Sequence, residues 1–168
     1  MQESALDHLK IWFQYEKDAH SKTITSLTSV PNGKRDRKEF QKAANLFAHI
    51  VGARWLWLKR MGIQEDIPAN LFPDNVNVNE LSQMADEMHK AWDDYFSNLD
   101  QKEIVRTFEY KSTEDIWYTN QVEEILIQLF GHSWYHRGQI AQLVRMLDET
   151  PAETDFVYWT RKEIPPKD

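Results

Sequence analysis

The spacing of apolar residues constrains the fold of this chain more than any other feature of its sequence. In four long segments they recur every three or four positions, which places them on one helix face and predicts four amphipathic helices. The predicted helices span residues 3–29, 36–61, 79–99 and 120–148. Pro31 and Gly33 interrupt the pattern after the first helix, and this short connection predicts that the first two helices are antiparallel neighbours.

Local signals refine these boundaries. Asp36 with Glu39 and Asn120 with Glu123 have the three-residue spacing of capping boxes, and Asn79 is predicted to cap the third helix. Residues 105–110 and 116–119 are rich in β-branched and aromatic side chains around a polar turn, which predicts a small β-hairpin. The expected fold is mainly α: a four-helix bundle with a small β-hairpin before the last helix, in a single domain of residues 1–168.

Composition excludes several classes of function. The formal net charge is -7, from 20 basic and 27 acidic residues, whereas nucleic-acid binders usually present a basic face. There is no cysteine, so thiolate metal ligands and a cysteine nucleophile are excluded. No apolar run approaches the roughly 20 residues of a membrane span, and the N-terminus lacks a signal-peptide pattern. We therefore expect a cytoplasmic protein that binds neither nucleic acid nor membranes.

Two histidines of the last helix stand where apolar residues are expected. The core-facing stripe of that helix consists of Val122, Ile125, Leu129, His132, His136, Ile140, Leu143 and Leu147. A spacing of four residues brings His132 and His136 within about 5–6 Å on one face, close enough to share a metal ion. The alternative is a pair of hydrogen-bonded core histidines. His49, midway along the apolar second helix, could supply a third ligand at the same depth.

The other polar residues on apolar stripes are open to two interpretations. His20 and Glu16 lie on the stripe of the first helix, and they predict either a partly buried pair or a contribution to the site from that helix. His8 and His89 fall off their stripes and are expected at the surface. Gly131 and Gly138 are poor helix formers, which suggests either close approach of a neighbouring helix or of a substrate, or simple tight packing.

The string HSWYHRGQI, residues 132–140, closely resembles the signature of the DinB-like (DinB/YfiT-type) family of metal-dependent enzymes. The similarity extends to His49, to the hairpin before the last helix and to the tail at Thr154–Val157. It implies an up-down-down-up bundle and a divalent ion held by three histidines, which map onto His49, His132 and His136. Some relatives carry a fourth histidine where this chain has Gln128. The resemblance also implies a homodimer.

Two classes of function follow from this resemblance. Relatives include low-molecular-weight thiol S-transferases and a thiol-dependent isomerase, which implies a metal-dependent transferase that joins a small thiol to an electrophilic substrate. A metal-dependent hydrolase is a further enzymatic alternative, with Glu16 as the candidate base. The second class is a non-catalytic metal-binding stress-response protein. Three histidines admit zinc, nickel, iron or cobalt, so the sequence does not select the metal.

Overall fold

The computed structural model describes residues 4–68 and 70–165. It is mainly helical, as predicted. Six helices and two strands follow one another along the described chain: α1 (Ala5–Ser29), α2 (Lys38–Arg60), α3 (Leu81–Ser97), α4 (Gln101–Ile104), β1 (Thr107–Lys111), β2 (Trp117–Gln121), α5 (Val122–Arg145) and α6 (Phe156–Thr160). The four long helices are the four predicted ones, each slightly shorter than its apolar pattern. The predicted helix start at residue 3 lies outside the described residues.

The capping residues differ from the predicted ones. α2 begins at Lys38 after Arg37, with no side-chain cap, and Glu39 forms an ion pair with Arg37 at 3.3 Å instead. The predicted box at the last helix is displaced by one residue, because Glu124 rather than Glu123 accepts a hydrogen bond from the Gln121 backbone N–H. Such boxes depend on where the helix geometry begins, which sequence spacing fixes only to within a few residues.

The connections between the helices also have local causes. Gly62 follows α2 with a φ of +73°, a conformation that glycine adopts without strain, so it ends the helix. A short 3-10 turn over Val78–Glu80 precedes α3, and the Asn77 side chain caps that turn. The N-cap of α3 is Glu80 rather than the predicted Asn79, and it forms no side-chain capping bond. The predicted hairpin is confirmed: β1 and β2 pair antiparallel, with Thr107 opposite Gln121 and Lys111 opposite Trp117. The hairpin leads directly into α5.

The core lies between the four long helices. α2 packs mainly on α5 and α3, α1 packs mainly on α5 and α3, and α1 and α2 touch each other less. Large side chains from all four helices fill the centre, including Phe13, Phe47, Trp92 and Phe130. Burial of such side chains contributes about 1.5–3 kcal/mol each, so the helix pairs are held by apolar packing. Within the described residues no helix is long and apolar enough to span a membrane.

Candidate metal centre

Three histidines from two helices converge at one point. α2 carries His49, and α5 carries His132 and His136. The Nε2 atom of His132 lies 3.1 Å from the Nε2 atom of His49 and 3.1 Å from that of His136. Their ligand atoms all lie within 4.8 Å of one another. Three nitrogens bound to one ion at about 2.0–2.1 Å in tetrahedral directions are roughly 3.3 Å apart, so the spacing suits a single ion.

Hydrogen bonds on the far side of two rings select the nitrogen that faces the centre. His49 Nδ1–H donates to the Leu71 carbonyl oxygen at 2.6 Å. His136 Nδ1–H donates to Gln139 Oε1 at 2.8 Å. A ring that carries its proton on Nδ1 has a free lone pair on Nε2, which is the arrangement that metal-binding histidines show in proteins.

The donor set is incomplete without a cation. Because His49 and His136 both hold their protons on Nδ1, both present a lone pair to His132 Nε2. A neutral His132 has at most one proton at that atom, so at most one of the two 3.1 Å contacts can be a hydrogen bond. Two close nitrogen lone pairs repel unless a positive charge lies between them. The residues therefore fit a metal ion better than a hydrogen-bonded core cluster.

The surroundings of His132 and His136 favour the neutral form of the imidazole, which is the form that binds metal. The pKa of His132 is lowered to about 4, first by burial and then by the neighbouring His136, His49 and Arg54 in that order of importance. Burial also lowers the pKa of His136, although the Gln139 hydrogen bond opposes the shift. All three histidine side chains are only partly buried, so the centre remains open to solvent.

A glycine lets the connection after α2 reach His49. An ideal Cβ placed on Gly52 would lie 2.8 Å from the Asn70 carbonyl oxygen and 3.4 Å from the Leu71 Cα. The next residue of this segment, Phe72, stacks on the His49 ring at 5.0 Å. Only a residue without a side chain leaves room for this approach. Gly52 thus permits the Leu71 carbonyl to orient His49, a role that the sequence did not suggest.

For two other glycines, the predicted approach of a neighbouring helix is wrong within the described chain, whereas the predicted approach of a substrate stays a prediction. Nothing lies within 4 Å of an added Cβ at Gly131 or at Gly138, so neither admits a neighbouring helix among the described residues. Gln139 is a further residue that sequence reasoning missed. Its signal was present, since it is the last residue of the HRGQ element and lies one helical turn after His136.

A second histidine pair lies elsewhere in the core. His20 Nδ1 on α1 is 3.0 Å from His89 Nε2 on α3, and the two rings stack at 5.2 Å. His20 is fully buried, and burial lowers its pKa well below the usual value, with a further contribution from His89. Burial also lowers the pKa of His89, to about 4. The predicted surface position of His89 is therefore wrong, because α3 packs on two helices and buries more than one stripe.

Glu16 belongs to a buried ion pair and not to the metal centre. Its carboxylate accepts a hydrogen bond from Arg54 of α2, and each side chain is 1% exposed. His20 Nε2 lies 3.8 Å from the same carboxylate. The metal-ligand group found among the described residues contains only His49, His132 and His136. Of the two interpretations of the first-helix stripe, the buried pair is confirmed.

A pocket opens beside the triad. It has a volume of about 350 Å³, and His49 and His132 line it together with residues of α2, of the hairpin and of the connection after α2. This volume lies in the range of small-molecule sites, roughly 300–1,000 Å³. Two of the three histidines therefore border a cleft that a small molecule can enter.

The comparisons with known proteins agree with this geometry. A sequence model described as the DinB family matches residues 1–167. A search of curated proteins finds no significant match to the chain. The family match covers essentially the whole sequence, including all three histidines of the centre.

Proposed function

The chain belongs to the DinB family, and we propose that it is a metal-dependent enzyme that transfers a small thiol to an electrophilic substrate. His49, His132 and His136 hold one divalent ion through their Nε2 atoms. The observation that carries this proposal is that His49 and His136 each direct a nitrogen lone pair at His132 Nε2. Only a cation between these nitrogen atoms makes that arrangement favourable. Three ligands leave further coordination positions for a substrate, as catalytic metal sites do.

The chemistry expected of the site needs a cosubstrate thiol. A bound divalent ion lowers the pKa of a thiol that coordinates it, as it does for water. The chain itself has no cysteine, so the sulfur must come from a small molecule. The protein positions the three imidazoles, and the half-buried pocket limits competition from water. In the transfer itself, a carbon–sulfur bond forms, the leaving group departs from the electrophile, and the thiol proton passes to solvent.

Hydrolysis is less well supported. A metal-dependent hydrolase usually needs a carboxylate or another base close to the attacking water. Glu16 is engaged by Arg54 in the core, and none of the described residues that line the pocket beside the triad is Asp or Glu. The non-catalytic alternative predicts a sealed ion, whereas the pocket reaches two of the three histidines.

The expected oligomer and topology belong to the same proposal. We infer an up-down-down-up bundle, because Phe13 contacts Phe96 while His20 contacts His89, and Tyr15 contacts Arg137 while Ser26 contacts Thr150. α3 is therefore antiparallel to α1, and α5 is parallel to α1.

A homodimer would use the exposed face of α5. Ile127, Trp134 and Tyr135 are 48%, 41% and 65% exposed, and the two open glycines, Gly131 and Gly138, lie on the same face by helical spacing. Sedimentation velocity that gives only a monomer at micromolar concentration would contradict this part of the proposal.

The test of the enzymatic function is a rate comparison. Metal-loaded wild-type protein, the same protein after chelation and the metal-loaded His132→Ala variant are assayed with a panel of cellular thiols and 1-chloro-2,4-dinitrobenzene, which releases chloride on transfer. His89→Gln serves as a control, because it alters a histidine outside the triad. We expect the rate to fall at least about 100-fold without metal or without His132. Equal rates in all samples would reject the proposal, and no turnover with any thiol would favour the non-catalytic alternative.

A further inference from the structure

The pocket beside the triad has an unusual charge for this protein. Among its described lining residues, the one arginine, lysine, aspartate or glutamate is Arg60, at the end of α2. None of those residues is acidic, although the whole chain carries 27 acidic side chains against 20 basic ones. A cation in a concave site without a counter-ion attracts anions, and a metal ion at the triad would strengthen this field.

Arg60 is held in place but not neutralised. Its guanidinium lies 4.9 Å from the centre of the Trp57 ring and 5.2 Å from that of Tyr110, so two aromatic side chains support it. Within the described part of the chain, it forms neither an ion pair nor a hydrogen bond. By contrast, Arg106 donates to both oxygens of Glu103 at 2.8 Å. The N–H groups of Arg60 therefore remain available to a ligand.

The rest of the pocket suits a small polar molecule. Ser112 and Thr113 from the hairpin turn and Gln128 from α5 line it with neutral hydrogen-bonding groups. The Tyr110 hydroxyl donates to Asn120 Oδ1 at 3.0 Å, which fixes the ring against which Arg60 packs. The pocket thus has the histidine centre on one side and a supported guanidinium on another, within about 350 Å³.

We propose that this pocket binds a small molecule that carries a carboxylate, and that Arg60 is the residue that pairs with it. A guanidinium and a carboxylate match as two parallel hydrogen bonds, which gives orientation as well as affinity. If the ligand is the thiol cosubstrate, its carboxylate pairs with Arg60 while its sulfur is directed to the histidine centre. That second step rests on the proposed function, whereas the Arg60 contact does not.

The test compares charged and neutral ligands. Isothermal titration calorimetry measures the binding of mercaptosuccinate, of 2-mercaptoethanol and of succinate to zinc-loaded wild-type protein. The variants are Arg60→Gln, Arg60→Lys and, as a control of equal charge change outside the pocket, Lys59→Gln. Circular dichroism and zinc content confirm that each variant is folded and loaded. Should Arg60→Gln fail this check, Arg60→Lys replaces it, because it keeps the charge but loses the bidentate geometry.

We expect Arg60→Gln to weaken mercaptosuccinate binding about 10–100-fold and to leave 2-mercaptoethanol unchanged. The affinity of Arg60→Lys for mercaptosuccinate should lie between those of wild type and Arg60→Gln. The affinity of Lys59→Gln should equal that of wild type. Equal weakening of both thiols, or no weakening of either, would overturn the proposal. If wild type binds neither thiol, the transferase function fails while the anion site is still tested. Binding of succinate that depends on Arg60 would support the site, and its absence would reject it.

Discussion

The two histidine clusters of this protein place the same side chain in opposite surroundings. At the triad, three partly buried rings direct nitrogen atoms at one point beside a pocket. In the core, His20 and His89 share one hydrogen bond, and the ion pair of Glu16 and Arg54 lies next to them. The first arrangement leaves lone pairs unused and has access for a ligand. In the second, His20 is fully buried, and its Nε2 atom has no hydrogen-bond partner among the described residues. Because the triad is the metal-ligand group found in the described part of the chain, we assign the core cluster to stability.

The two clusters also differ in how charge is balanced. The triad contains no acidic residue and carries free lone pairs, so it gains by binding a cation. The core cluster contains a carboxylate whose charge Arg54 already balances, and burial lowers the pKa of Arg54 only to about 9, which leaves it charged at neutral pH. Histidine content alone therefore does not identify a metal site. The direction of the lone pairs and the local charge do.

The largest expected effect comes from breaking the core cluster. Arg54→Met leaves Glu16 as an unpaired charge that is 1% exposed, and such a loss typically costs about 3–5 kcal/mol of the free energy of unfolding. Urea denaturation of the metal-free protein measures it. Arg106→Met is the matched control, since its pair with Glu103 is half-exposed and should cost at most about 1 kcal/mol. Similar values for both variants would show that the buried pair is not the stabilising element described here.

A smaller effect, on metal affinity, is expected where the connection after α2 holds His49 of the triad. Gly52→Ala adds a Cβ where the Asn70 carbonyl oxygen lies 2.8 Å away, so the connection must move and the Leu71 carbonyl can no longer hold His49. Loss of such an outer hydrogen bond lowers metal affinity about 10–100-fold, which competition with a zinc indicator measures. Gly131→Ala is the control, because open space surrounds that position. Unchanged zinc affinity in Gly52→Ala would contradict the role given to the Leu71 carbonyl.

The smallest effect concerns pH. His20 and His89 have lowered pKa values when folded, about 4 for His89, and near 6.5 when unfolded. The stability they contribute is complete above the unfolded value and is lost as pH falls towards the folded value, because only the unfolded chain takes up protons. Between about pH 7.5 and about pH 5.5, the metal-free protein should lose about 1 kcal/mol for each of them.

His89→Gln tests this expectation. It removes the contribution of His89 to the loss of stability at low pH, while the glutamine keeps a hydrogen-bonding partner for His20. Urea denaturation at both pH values gives the change in the free energy of unfolding with pH. The same pH dependence in the variant and in wild type would show that His89 does not titrate as described.

The sequence predicted what depends on helical spacing. His132 and His136 are one turn apart on an apolar stripe, so their convergence followed from helix geometry alone. The four long helices were predicted for the same reason, whereas the hairpin was predicted from β-branched and aromatic residues on either side of a polar turn. The position of His49 opposite them was predicted from its place midway along the apolar second helix, and the family resemblance supported that prediction. The cytoplasmic location stays a prediction.

Features that depend on contacts between helices were missed. His89 was predicted to be exposed because only one apolar stripe of α3 was considered. In the structure α3 packs on both α1 and α2. Arg54 offered a signal that was not used, because a charged residue in the most apolar stretch of α2 requires a partner, and Glu16 stood on the stripe of α1. Gly52 and Arg60 act on segments distant in sequence, so no periodicity could reveal them.

The central claim is that the triad, and not the core pair, binds one divalent ion. Equilibrium dialysis against zinc, followed by elemental analysis of protein without a histidine tag, tests it directly on wild type, His132→Ala and His89→Gln. We expect one ion per chain in wild type and in His89→Gln, and none above background in His132→Ala. Zinc retained by His132→Ala at wild-type stoichiometry, or lost equally from His89→Gln, would contradict it.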